Sequence, residues 1–322
     1  MSGFLRNGVW HPGWYDNRTT GGEFIRQDSA FRDWVRADGS SGYPAASGRY
    51  HLYVSLACPW AHRVLIMRAL KRLEGAVSVS VVEPVMGEQG WEFSATLPDH
   101  VNGFAHLHQV YTATRTDFSG RVTVPVLWDK VSGRIVNNES AEIVRMLNRE
   151  FSAFTDVATD YYPAPLREAI DTLNAEVYDG VNNGVYRCGF ASTQAAYEAA
   201  YDRLFATLDR LEALLSHSRY LLGDRLTEAD WRLFTTLVRF DAVYYGHFKC
   251  NRQRLVEFPN LWPYLRDLVQ VPGVAATVNM DHIKRHYYMS HTQLNPGRIV
   301  PKGPALDFSA AHGRARMSAS RD

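Results

Sequence analysis

Apolar and polar positions alternate with a period of two over residues 49–56 (RYHLYVSL), and from 59 to 74 the period lengthens to a helical one carried by Val64, Leu65 and Met67. A strand followed by a helix is predicted. Alternation returns at 77–82 (VSVSVV) as a second strand, and a long loop of about 83–120 follows, holding Trp91 and several glycines and histidines. Beyond it lie the strand-like run 122–128 (VTVPVLW), a turn at Ser132 and Gly133, a short strand at 134–136, and a helical pattern from Glu139 to about Phe151. The order βαβ then ββα predicts a small sheet with helices on both faces. Pro125 sits inside a strand-like run where it removes a ladder donor, which predicts a cis peptide before it.

After Pro163 and Pro165 the alternation vanishes. Tyr197, Tyr201, Leu204, Phe205, Leu208, Leu211 and Leu215 recur at steps of three and four and mark one apolar helix face. Thr227 and Asp230 have capping-box spacing, with Leu226 and Trp231 placed for a hydrophobic staple. Further helices are predicted at about 166–182, 228–245 and 260–270. The chain therefore divides into an extension over 1–48 packed on the domains, an α/β domain over 49–160, an all-helical domain over 161–296 and a tail over 297–322. No internal repeat is visible.

Composition narrows the function classes. Lys plus Arg number 35 against 34 for Asp plus Glu, so no basic excess suggests nucleic acid. No stretch approaches the ~18 apolar residues of a membrane span, and the start has no apolar signal region. Cys58, Cys188 and Cys250 are far apart and odd in number, which argues against a disulfide framework and for a reducing, cytoplasmic setting. The glycines form neither a dinucleotide fingerprint nor a P-loop. His106 with His108, and His282 with His286, have spacings that could hold a metal, but no carboxylate or cysteine completes either set, and no metal is expected.

The chemistry concentrates at 58–63 (CPWAHR). Pro59 suits the first helical position, so Cys58 falls at the N-cap, where free backbone donors and the positive end of the helix dipole favour a thiolate. Position 61 is Ala, so no resolving cysteine stands one turn away, and a mixed disulfide on Cys58 must be cleared by an outside thiol. The bland alternative is a small buried hydrophobe closing a strand. Cys188 and Cys250 lack this strand-to-helix context and read as packed.

A thioredoxin-like domain followed by an all-helical domain, with Cys-Pro at the first helix, resembles the cytosolic glutathione transferases. Four segments sharpen the resemblance: 50–63 (YHLYVSLACPWAHR), 120–129 (GRVTVPVLWD), 135–140 (IVNNES) and 239–251 (RFDAVYYGHFKCN). They are similar to the glutathionyl-hydroquinone reductases, the Xi class of that superfamily, and the likeness runs from about Gly21 to Met289. The resemblance implies reduction of S-glutathionyl hydroquinones with glutathione as co-substrate, a homodimer, and no bound cofactor.

Carried residue by residue, the resemblance makes Cys58 the nucleophile and places glutathione on Trp91, Arg121, Val122, Thr123, Val124, Glu139 and Ser140. A strand ending before proline offers Val124's backbone to the cysteinyl part of glutathione. Ser140 and the free N–H groups of a helix start suit the γ-glutamyl carboxylate, with Glu139 pairing its ammonium. Each has a simpler reading: helix capping for Glu139 and Ser140, packing for Trp91, a solvated loop charge for Arg121. Tyr186 in 183–190 (NGVYRCGF), Tyr244 in the fourth segment and Tyr287 in 284–288 (KRHYY) match the family's catalytic tyrosines, with Tyr245 and Tyr288 as adjacent competitors. A phenol supplies what a thiolate alone lacks, a proton for the ring carbon that must leave sulfur. Two other functions share Cys58 or the fold: an omega-like thiol transferase acting on dehydroascorbate or protein mixed disulfides, and a protein that holds glutathione conjugates without turnover.

Overall fold

Asn7 and Gly8 both take positive φ, 48° and 76°, and close a two-residue hairpin between β1 (Gly3–Arg6) and β2 (Val9–Pro12). An Asn-Gly pair is suited to this turn, because both central positions need left-handed backbone. Periodicity passes over the hairpin, whose strands are only four residues each. The computed structural model describes residues 3–318 and resolves into two compact units. The first comprises the chain through Trp14, Gln27–Thr159 and Ala276–Val300, and the second comprises Tyr15–Arg26, Asp160–Ala275 and the chain from Pro301.

In the first unit, β3 (Tyr50–Val54) leads through Cys58 into α1 (Pro59–Leu70), then β4 (Val77–Val81). The stretch read as loop contains α2 (Leu107–Thr114), whose His106 and Gln109 form a capping box and whose Leu107, Val110 and Tyr111 are buried. That i, i+3, i+4 spacing was readable. β5 (Gly120–Arg121), β6 (Val126–Asp129), β7 (Arg134–Asn137) and α3 (Ser140–Arg149) complete the unit's central run. The main sheet has the order β4-β3-β6-β7, with β3 parallel to β4 and the other pairs antiparallel. Every residue of β3 is buried, as a strand with neighbours on both edges and layers on both faces requires. A smaller sheet, β2-β1-β5, joins the hairpin to the strand before the 122–125 run. The expected strand 122–128 begins only at Val126, because Pro125 has no N–H for the ladder; the Val124–Pro125 peptide is cis, as expected.

The second unit is helical. α4 (Arg167–Val177) passes through a π turn at Tyr178–Asn182 into α5 (Gly184–Phe190), and α6 (Gln194–Leu215) carries the long apolar face. α7 (Glu228–Arg239) passes through a second π turn, Phe240–Tyr244, into the single turn α8 (Tyr245–His247), and α9 (Leu261–Val269) follows. The two continuous helices expected at 166–182 and 228–245 are thus each interrupted. At the first interruption Gly180 lies so close to α6 that a Cβ would meet Thr207 Oγ1 at 2.2 Å, and buried Asn182 donates to Thr236 Oγ1 at 2.7 Å. Asp230 reaches back from α7 to accept from Thr227 N at 2.8 Å, the predicted capping box, and also accepts from Tyr264 Oη at 2.9 Å.

α10 (Met280–Ser290) falls with the first unit, whereas the helical pattern predicts one domain over 161–296. Its Ser290 Oγ accepts from Met86 N at 3.0 Å, and His286 Nδ1 meets Pro84 O at 2.9 Å. The tail runs without regular structure to a last turn, α11 (Ala315–Ser318), and buried Arg314 donates to the carbonyls of Leu215, Ser218 and Arg219, capping the end of α6. The ends of the expected extension and tail, residues 1–2 and 319–322, lie outside the described residues. Among the described residues no helix is long and apolar enough to cross a membrane.

Candidate functional site

Cys58 is the N-cap of α1, with extended backbone (φ −75°, ψ 123°) and Pro59 in the first turn. Its carbonyl accepts from His62 N at 2.9 Å, the first bond of the helix. The side chain is half-buried, and its thiol donates to Val124 O at 3.5 Å. Ala61, one turn on, is fully buried. His62 and Arg63 turn inward, His62 Nε2 meeting Thr277 Oγ1 at 2.8 Å and the Arg63 guanidinium lying 4.6 Å from the Trp60 ring. The result is a thiol fixed at the open end of a helix, beside the carbonyl of Val124.

That segment is braced by a residue sequence reasoning passed over. Tyr111 Oη donates to Thr123 O at 2.8 Å and accepts from Thr123 N at 3.1 Å, and Asn138 Nδ2 donates to the same phenol at 3.2 Å. Tyr111 is wholly buried, and burial pushes its phenol pKa up, so it stays protonated as a donor. With both backbone groups of Thr123 held by Tyr111, the next carbonyl, Val124 O, accepts from the Cys58 thiol. Val122 and Val124 are themselves buried.

Glu139 caps α3: Oε1 accepts from Ala141 N at 3.0 Å and Oε2 from Ser29 Oγ at 3.0 Å. Ser140 is the first residue of that helix and is 3 % exposed. Trp91 stacks on His286, with centroids 4.8 Å apart and planes at 20°, and its carbonyl accepts from Leu107 N at 2.9 Å. The Arg121 guanidinium donates to the carbonyls of Gly3, Gly13 and Trp14 rather than standing as a solvated charge.

The second unit brings Tyr186 and Tyr244 together, rings 6.2 Å apart, each following its own π turn or closing it. Such turns recur at functional sites. Phe24, Phe190 and Phe248 surround Tyr186, and the Arg26 guanidinium lies 4.7 Å from its ring. Tyr244 is fully buried whereas Tyr186 and Tyr245 are partly exposed. Tyr287 belongs to the first unit with Cys58; it is buried against His286 and His291, while neighbouring Tyr288 is half-buried. Among the described residues no group of three or more His, Cys, Asp or Glu is placed to hold a metal ion.

Comparison with known proteins bears on the whole chain. The glutathione S-transferase N-terminal domain matches residues 57–150, and the glutathione S-transferase C-terminal domain matches residues 194–267. The glutathionyl-hydroquinone reductase PcpF of Sphingobium chlorophenolicum is 55 % identical over 94 % of this chain and 96 % of its own. The glutathionyl-hydroquinone reductase YqjG of Escherichia coli K12 is 53 % identical over 97 % of this chain and 98 % of its own. The chain belongs to the glutathionyl-hydroquinone reductases, the Xi class of the glutathione transferases. Its fold agrees: the glutathione-bound structure of YqjG superposes with a TM-score of 0.90 at 50 % identity, covering 97 % of this chain and 99 % of that one. A Xi-class enzyme from Natrialba magadii gives 0.92 at 48 % identity over 98 % and 97 %.

Proposed function

We propose that this enzyme reduces S-glutathionyl hydroquinones with glutathione, through a mixed disulfide on Cys58. The observation that carries the reading is the Cys58 thiol at the N-cap of α1, 3.5 Å from Val124 O. An extended cysteinyl residue paired with Val124 brings its own sulfur to that thiol. The identities to PcpF and YqjG support the substrate class.

In the first step the ring carbon bearing sulfur takes a proton from Tyr186 while the neighbouring phenol gives one up, leaving a ketone. The Cys58 thiolate then attacks the glutathionyl sulfur. The carbon–sulfur electron pair returns to the ring, which becomes hydroquinone on taking up a proton, and Cys58 carries a glutathionyl disulfide. A second glutathione thiolate attacks that disulfide, giving oxidised glutathione and free Cys58. The net change is conjugate plus glutathione to hydroquinone plus oxidised glutathione. Tyr244 and Tyr287 supply supporting hydrogen bonds. Trp91, Arg121, Val122, Thr123, Val124, Glu139 and Ser140 form the glutathione side, Glu139 and Ser140 at the α3 N-terminus taking the γ-glutamyl end. The reading includes a homodimer working in the cytoplasm with no bound cofactor.

Incubation with a glutathionyl hydroquinone and glutathione tests it. Hydroquinone and oxidised glutathione should appear in equal amounts. Dehydroascorbate reduction without release of hydroquinone would favour the omega-like alternative, and conjugate binding without turnover would favour a carrier.

A further inference from the structure

Residues 3–14 make three junctions, two of them on the glutathione side and the third at His291. Phe4 of β1 pairs with Arg121 and Leu5 with Gly120, immediately before the 122–124 run. The Arg121 guanidinium donates to Gly3 O at 3.2 Å, Gly13 O at 2.9 Å and Trp14 O at 2.9 Å, so one side chain grips both ends of the hairpin. Trp10 forms the second junction. Its Nε1 donates to Glu88 O at 3.0 Å, and its ring stacks on His108 at 5.1 Å. The indole fills the space over two glycines: a Cβ on Gly90 would lie 2.7 Å from it and one on Gly3 2.2 Å. Gly90 holds φ at +77° and directly precedes Trp91. Trp14 is the third junction, edge-on to His291 at 5.5 Å, and His291 in turn meets His286 and Tyr287 at 5.4 Å each.

The geometry points to residues 3–14 as a positioning arm that forms the glutathione groove before the ligand arrives, with Trp10 holding the 87–91 turn and Arg121 tying the 122–124 segment to the same hairpin. This rests on the reading of the site as a glutathione site. The turn needs such a support. Gly87 and Gly90 lie within it, joined by an isolated bridge, and glycines lose more backbone freedom on ordering than any other residue. A turn that had to order on binding would subtract that entropy from affinity, and an indole packed on it removes the loss beforehand. Trp10 packs on the 87–91 turn and on His108, so its effect belongs in binding and not in the chemical step.

Trp10→Ala should raise KM for glutathione roughly tenfold, the change that corresponds to ~1.4 kcal/mol, and leave kcat within about twofold. Trp10→Phe keeps an aromatic ring but lacks the Nε1 donor and the outer-ring atoms Cζ2, Cη2 and Cζ3 that lie over Gly90, so its KM should fall between those of wild type and Trp10→Ala. Trp10→Leu carries the same expectation as Trp10→Ala and replaces it if the alanine variant does not fold. Calorimetric titration with glutathione reads the same ratio as Kd without relying on turnover, and faster deuterium exchange at Gly87, Gly90 and Leu107 amides should accompany it. Wild-type protein that binds glutathione while the folded variants bind it equally well overturns the arm. A kcat loss with unchanged KM overturns it too. Wild-type protein that takes up no glutathione overturns the reading of the site, and the arm with it.

Discussion

The corner around Cys58 and the cluster around Tyr186 are built from different kinds of information. At Cys58 the determinants are neighbours in the chain: β3 ends at Val54, Pro59 begins the helix, and His62 N closes the first helical bond on the Cys58 carbonyl. Tyr186 sits among Phe24, Arg26, Phe190, Tyr244 and Phe248, gathered from distant stretches of chain and from helices that break into π turns. A nucleophile defined by local geometry can be named from a handful of residues. A side chain placed by tertiary packing cannot, and among 17 tyrosines only the family resemblance singled out Tyr186 as the proposed acid.

The largest effect should come from the local corner. Cys58→Ser should abolish turnover, because a hydroxyl cannot form the mixed disulfide; conjugate consumption and hydroquinone release followed together would show it. The cluster comes next. Tyr186→Phe keeps the ring packing and removes the acid, so hydroquinone release in single-turnover mixing should slow by roughly 10²–10⁴-fold, with Tyr244→Phe slower by a smaller factor. Equal losses at Tyr186 and Tyr244 would make the cluster, and not one phenol, the working unit.

Stability separates the two regions as well. Asp230 is fully buried in the helical unit, and burial pushes its pKa up while four donors, from Leu221, Thr227 and Tyr264, hold it. Asp230→Ala strands those donors and should cost about 4 kcal/mol in urea unfolding. In the first unit, burial in β3 brings the His51 pKa down to about 4, between Ser78 and Ser80. The fold holds the neutral ring, so this stabilisation is complete above the ordinary value near 6.5 and is lost as pH falls through about 4. Wild-type protein should lose up to about 3 kcal/mol more than His51→Gln between pH 7 and pH 4. The smallest contrast is kinetic: iodoacetamide should label half-buried Cys58 well before buried Cys188 and Cys250.

The strands of the four-stranded sheet, α1, α3, α6 and the Thr227–Asp230 cap were legible because period and capping chemistry are written in adjacent residues. The N-terminal hairpin was missed for its brevity although Asn7-Gly8 signals it, and α2 was missed because His106 is an unusual cap. The π turns were not legible; the first lies against α6 through Gly180, a contact that no local pattern contains. At the site, Arg121 and Glu139 are engaged within the protein, the first by the hairpin carbonyls and the second as the α3 cap. Tyr111, which holds Thr123 from both sides, left no signal because its partner is 12 residues away.

The central claim is that Cys58 takes the glutathionyl group and that, with Ala61 in place of a second thiol, the adduct waits for glutathione. Wild-type protein mixed with one equivalent of a glutathionyl hydroquinone and no free glutathione should gain the mass of one glutathionyl group, mapped by peptide mass spectrometry to Cys58, as one equivalent of hydroquinone is released. An adduct on Cys188 or Cys250, or hydroquinone released at the wild-type rate by Cys58→Ser, would contradict it.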